Sequence, residues 1–220
     1  MRLVGSENRI FPVVAAERFH LTIHRRGWQR GLVVAASLMA LSSCALVKPG
    51  EAPRETFDIS APTQFSGVRG GSRAQILVKV PTALKSLDSD RIVVKPTPTI
   101  VTYLAGAQWT DTVPRLVQAK LVESFENSAA TRATAKPGDG LVIDYQLVSD
   151  VRRFEVADGV AIIELSIKLL TDRTGRVRET RIFRSTARSI SDKPEDLVDA
   201  FDSAFDELAR DIVTWIVRRT

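Results

Sequence analysis

Three runs of alternating apolar and polar residues restrict the fold more than anything else in this chain. In residues 160–170, Ile163, Leu165, Ile167 and Leu169 are interleaved with Glu164, Ser166 and Lys168. Successive side chains of a strand point to opposite faces, so the first set belongs to a covered face and the second to a wet one. Residues 141–148 repeat the pattern, with Leu141, Ile143, Tyr145 and Leu147 set against Asp144 and Gln146. Residues 176–189 form a third extended run. The turn sequence "AKPGDG" (135–140) precedes the first run, and "TDRTG" (171–175) joins the second to the third. Arg152, Arg153 and Phe154 break the alternation after the first run and read as an exposed corner with a bulge. Short connections between half-polar strands specify an antiparallel meander with one covered face.

Two amphipathic segments supply the cover. Val113, Leu116, Val117, Leu121 and Phe125 recur at helical spacing up to Asn127. Asp111 or Thr112 stands at the capping position, and Pro114 suits the first turn. Asp192, Lys193, Pro194 and Glu195 open a second helix that runs to Arg219. Its apolar stripe is Leu197, Phe201, Ala204, Phe205, Leu208, Ile212, Trp215 and Ile216. Shorter strands are expected upstream: an edge strand at Phe57, Asp58 and Ile59, one at 75–80 stopped by Pro81, one at 91–95 broken by "PTPT", and one at 99–103. Residues 106–112 read as a lead into the first helix. Gly67, Gly70 and Gly71 lie in a loop without the strand–glycine–helix context of a phosphate-binding fingerprint. The expected fold is therefore α+β: a single two-layer domain over residues 57–220, with a mainly antiparallel sheet and two amphipathic helices on one face.

The N-terminal part follows different rules. Residues 31–41 form an apolar run interrupted only by Ser37, behind Arg25, Arg26 and Arg30. A membrane-spanning helix needs ~20 residues, whereas the apolar part of an export signal takes ~7–15 behind a basic flank. The run ends in Leu41, Ser42, Ser43 and Cys44, and Cys44 is the only cysteine of the chain. Leucine, two small residues and cysteine make a lipobox. Small residues fit a signal peptidase groove, the thiol takes a diacylglyceryl group, and the freed amine takes an N-acyl chain. One chain anchors a protein only marginally, with ~0.8 kcal/mol per buried CH2, whereas three make the anchor durable. Residues 1–43 are thus expected to be a cleaved lipoprotein signal, and residues 44–56 the lipidated Cys44 and a flexible tether. Twelve such residues span ~20 Å. Ala45, where inner-membrane lipoproteins carry Asp, favours an outer-membrane lipoprotein facing the periplasm over inner-membrane retention.

Cleavage at Cys44 also changes the charge. The whole chain has net charge +5, from 31 Lys and Arg against 26 Asp and Glu. Six of those arginines and two of the glutamates lie in residues 1–43, so the mature net charge is about +1. That gives no support to nucleic-acid binding. His20 and His24, the two histidines, leave with the signal. A chain with no histidine and one acylated cysteine has no Ser-His-Asp or Cys-His catalysis and no His- or Cys-ligated zinc. No cofactor is expected besides the covalent lipid. The remaining catalytic option is a pair of carboxylates, for which Asp144 and Glu164 on the polar strand faces are the candidates.

Candidate surface residues are of two kinds. Trp109 and Tyr103 are either exposed aromatic anchors for a partner or acyl chain or plugs between helix and sheet, and Trp215 and Ile216 pose the same choice. Arg173, Arg176, Arg178, Arg181, Arg184 and Arg188 cluster on the third long strand and its turn, where they suit lipid phosphates or an acidic partner. Alternation puts Arg176, Arg178, Arg184 and Arg188 on the side of Ile182 and Arg181 on the other. The bland reading is a solvated face.

The order of these pieces is itself informative. A lipobox and tether precede "QILVKVP", then "DRIVVKPTPTIVTYLAGAQWTDTVPRLVQAKLVESFENS", a strand meander, "GRVRETRIF" and an acidic terminal helix. This order resembles the ABC-type transport auxiliary lipoproteins of the PqiC-like group over residues 44–220. Arg91 to Val94, Tyr103, Trp109 and Asp111 carry the most specific part of it. The resemblance implies a non-catalytic accessory lipoprotein. Its partners would be an MCE-domain protein and an ABC permease and ATPase that move phospholipid or other apolar molecules across the envelope. Some such proteins assemble into rings, so a homo-oligomer is among its implications. The alternatives are a scaffold or assembly lipoprotein of another envelope export machine, and a carboxylate-based envelope hydrolase.

Overall fold

The computed structural model describes residues 54–65 and 72–220. Leu41, Ser42, Ser43 and Cys44, the expected signal, most of the tether and Gly67, Gly70 and Gly71 lie outside the described residues.

Among the described residues, nine strands and two helices follow one another in the order β1 (Glu55–Phe57), β2 (Gln75–Val78), β3 (Thr82–Ala83), β4 (Arg91–Thr97), β5 (Ile100–Trp109), α1 (Val113–Ser128), β6 (Ala133–Ala135), β7 (Tyr145–Ala157), β8 (Val160–Thr171), β9 (Val177–Arg188) and α2 (Pro194–Val217). The fold is α+β, and β7 is its axis. On one edge β7 pairs antiparallel with β8 along its whole length, and β9 continues antiparallel beyond β8. The other edge of β7 is shared by three parallel partners: β2 beside residues 145–147, β3 beside 150–151 and β4 beside 155–156. β6 extends β2, and β5 and then β1 extend β4. Antiparallel pairing thus carries the long strands, and the short ones dock parallel.

Both helices lie on one face and touch each other. The predicted stripe of α2 is buried throughout, from Leu197 to Ile216, as are Val113, Leu116, Val117, Leu121 and Phe125 of α1. Ile163, Leu165, Ile167 and Leu169 of β8 are fully buried beneath them. Each such side chain contributes about 1.5–3 kcal/mol when taken out of water. Pro194 occupies the first turn of α2, where Glu195 and Asp196 add negative charge beside the unpaired N–H groups. Thr112 holds the N-cap position of α1 with Pro114 behind it, but its side chain caps nothing; the Asp111 carboxylate accepts from the Thr112 N–H at 2.7 Å instead.

Several local expectations need correction. The first meander strand begins at Tyr145, not Leu141: Leu141 and Val142 are 44% and 81% exposed and lie before the sheet. Arg152, Arg153 and Phe154 do not end that strand. It runs on to Ala157, and the break in alternation is the expected bulge, because one extra residue separates the pairs Val151–Leu165 and Arg153–Glu164. Only Pro98 and Thr99 turn the β4–β5 hairpin, since β4 passes through Pro96 with an irregularity between Val94 and Thr97. Residues 106–109 are not a lead into α1 but the end of β5. That strand holds a wide bulge between the pairs Val93–Tyr103 and Arg91–Gln108, and Gly106 takes φ +71° within it. β1 starts at Glu55, inside the expected tether, and β3 and β6 are additional short strands.

Candidate functional site

The β7 bulge decides which side chains reach the helix-free face. Before it, Leu147, Ser149 and Val151 point to the core; after it, Phe154 and Val156 do. One extra residue inverts the alternation. Arg153 and Glu155 therefore join the face of Asp150, opposite the helices. Glu155 is 3% exposed there. One of its carboxylate oxygens accepts from Arg153 Nε at 2.8 Å and pairs with Arg153 Nη2 at 2.7 Å, and the other lies 3.6 Å from Lys95 Nζ of β4. On neighbouring β8, Glu164 pairs with Arg152 at 3.3 Å. Arg184 of β9 stands in register with Glu164, is exposed, and makes no hydrogen bond or ion pair among the described residues. Lys95, Arg153 and Arg184 line an open cavity of about 440 Å3, walled by Pro98 and Ile162 and edged by Asp158.

Buried carboxylates are costly unless paired and hydrogen-bonded. Glu155 meets that condition with two cations, so it fixes Arg153 and Lys95 in place beside the cavity. Neither Lys95 nor Glu155 stands out in the sequence. Lys95 closes an ordinary strand, and Glu155 is hidden by a period that the bulge inverts.

The structure distributes the sequence-predicted residues differently. Trp109 is 1% exposed, so the exposed-anchor reading fails in favour of the core plug. Its ring meets Phe154 and Phe201 edge-on at 5.6 and 5.2 Å, and those two rings stack at 4.9 Å. Tyr103 is half-buried, with the Arg91 guanidinium 4.3 Å above its ring. Trp215 and Ile216 are core as well; Trp215 packs edge-on against Phe183 at 5.4 Å and donates through Nε1 to Glu179 at 3.2 Å.

The arginine cluster divides. Arg178 donates to the Tyr145 hydroxyl at 2.6 Å, near Arg176 and the 171–175 turn. Arg184 and Arg188 sit toward the opposite end of β9, roughly 20 Å and 33 Å from Arg178 at ~3.3 Å per residue. Arg188 reaches the Asp158 carbonyl at 3.4 Å, and Arg181 lies on the core side, 4.7 Å over the Phe183 ring. The expected common face fails at Arg178: β9 carries an extra residue there, between its pairings with Leu169 and Leu170, and Arg178 packs over the ring of Tyr145, which lies against the core, whereas Arg184 lies on the helix-free face. Asp144 and Glu164 are also kept apart. Asp144 binds the Gln75 N–H at 2.8 Å before the start of β7, and Glu164 lies opposite Arg153. About 25 Å of strand separates them, against the ~5–9.5 Å that paired-carboxylate hydrolysis uses. No helix among the described residues is long and apolar enough to cross a membrane.

Comparison with known proteins fits this architecture. The model of the ABC-type transport auxiliary lipoprotein component family matches residues 57–213. An uncharacterized protein of Bradyrhizobium diazoefficiens is 31% identical over 175 residues, which is 76% of this chain; the chain spans 47% of that relative's length. Among solved structures, protein XCC0632 of Xanthomonas campestris superposes with a TM-score of 0.71 at 29% identity, covering 74% of this chain and 95% of that one. A second crystal structure, with a TM-score of 0.60 at 13% identity, covers 74% of this chain and 99% of its own and shares the fold.

Proposed function

Because the chain belongs to the ABC-type transport auxiliary lipoprotein family, a cell-envelope component of ABC transport systems, we propose that it serves an MCE-type lipid transporter as a non-catalytic, lipid-anchored subunit. Cys44 carries the diacylglyceryl and N-acyl chains, and the lipobox Leu41, Ser42 and Ser43 directs their attachment. Ala45 favours the outer membrane, with the domain in the periplasm. The tether lets the domain reach an MCE-domain protein and its permease and ATPase, and the cargo is phospholipid or another apolar molecule.

The observation that carries this reading is the family match over residues 57–213 lying directly behind a lipobox. The separation of Asp144 from Glu164 removes that pair as a support for the hydrolase alternative. Metabolic labelling with palmitate tests the anchor. Label is expected in the wild-type protein and absent from Cys44→Ala; equal label in both, or none in the wild type, contradicts it.

A further inference from the structure

We propose that the cavity between the β4–β5 hairpin and the helix-free face of β7–β9 binds the phosphate-ester group of an amphiphile. Three observations lead there. Arg184 is an exposed guanidinium with all its donors free among the described residues, so it meets an anion without surrendering a partner. Arg153 gives Nε and Nη2 to Glu155 and keeps Nη1, while Lys95, 3.6 Å from the same carboxylate, lies beyond hydrogen-bonding distance and keeps its ammonium protons. The cations are thus held in position by a buried carboxylate without being used up by it. With Arg152, which pairs with Glu164, four cations stand against the three acids around the cavity, Glu155, Asp158 and Glu164, and charge-assisted bonds to phosphate are the strong kind.

The walls specify the rest of the ligand. Ile162 and Pro98 give the cavity an apolar side. The hairpin that forms its rim also exposes Ile100 and Val101, at 51% and 42%. A phosphate with hydrocarbon attached uses both features, whereas an acidic peptide gains nothing from the exposed Ile100 and Val101. The phosphate site stands on the geometry alone; that the amphiphile is a membrane lipid rests on the transport reading above.

The test titrates the full-length protein in non-ionic detergent, by calorimetry, with dihexanoylphosphatidylglycerol, glycerol 3-phosphate and an oligoglutamate peptide. Saturable binding of the short-chain lipid is expected. Arg184→Gln and Lys95→Gln should each weaken it about tenfold, the loss of one charge-assisted bond. Arg178→Gln, at the other end of the same strand, should leave it unchanged. Unaltered thermal unfolding shows that the variants are folded. No saturable binding of either phosphate ester overturns the site, as does equal weakening by Arg178→Gln, which would mean diffuse charge attraction. Tighter binding of the peptide overturns it in favour of a peptide groove. Glycerol phosphate binding as tightly as the lipid upholds the phosphate site and contradicts only its lipid source, and the palmitate result is independent of all these outcomes.

Discussion

On β8, Ile163, Leu165, Ile167 and Leu169 face the helices with no exposed surface, while Glu164, Ser166 and Lys168 between them remain open to solvent on the other side. The same contrast extends across β7. Phe154 is locked against Trp109 and Phe201, and one residue away Glu155 holds Arg153 and Lys95 beside a cavity. One face is dry, aromatic and closed; the other is charged, and Arg184 on it has no partner among the described residues. Packing decides stability on the first face, and its residues are poor candidates for recognition. The second has side chains to spare for a ligand. Trp109, which the sequence leaves between docking anchor and core plug, belongs to the first, and an unremarkable lysine belongs to the second.

This division can be broken most severely at the bulge. Deleting Arg152 and Arg153 together would place Phe154 directly after Val151, put it on the helix-free face and turn Glu155 toward the helices. Cooperative thermal unfolding followed by circular dichroism should be lost; a variant that still unfolds in one sharp transition would show that the bulge does not set the faces. Phe154→Ala removes one ring from the three-ring cluster and should cost about 3–5 kcal/mol in denaturant unfolding. Gly106→Ala tests the β5 bulge. An added Cβ would meet nothing within 4 Å, so the cost is conformational, about 1 kcal/mol for a non-glycine residue at that positive φ. Arg184→Gln should change stability by no more than about 0.5 kcal/mol; a larger loss would mean that the helix-free face also holds the fold together.

The long elements are legible in the sequence because their apolar periods are uninterrupted. β8, β9 and both helices lie within a few residues of where alternation and helical spacing put them. The departures share a cause. β5 carries a wide bulge around Gly106, β7 a bulge at Arg152, β4 an irregularity near Pro96 and β9 an extra residue at Arg178, and each shifts a period in a way that only the neighbouring strand reveals. β3 and β6 are too short to carry any period; they are strands because β7 and β2 offer open edges. The basic cavity escapes for the same reason, since it joins β4, β7 and β9 across bulged pairings. The division of the arginines is half legible: alternation separates Arg181 from the rest, but strand length and the extra residue of β9 at Arg178 separate Arg178 from Arg184.

The most direct test of the central claim is recovery of the partner. The affinity-tagged protein, extracted in mild detergent from cells that also express the MCE-domain protein, permease and ATPase, should bring all three down in a stable complex. Recovery of the tagged protein alone, with the MCE-domain protein present in the same extract, would contradict the assignment to an MCE-type transporter.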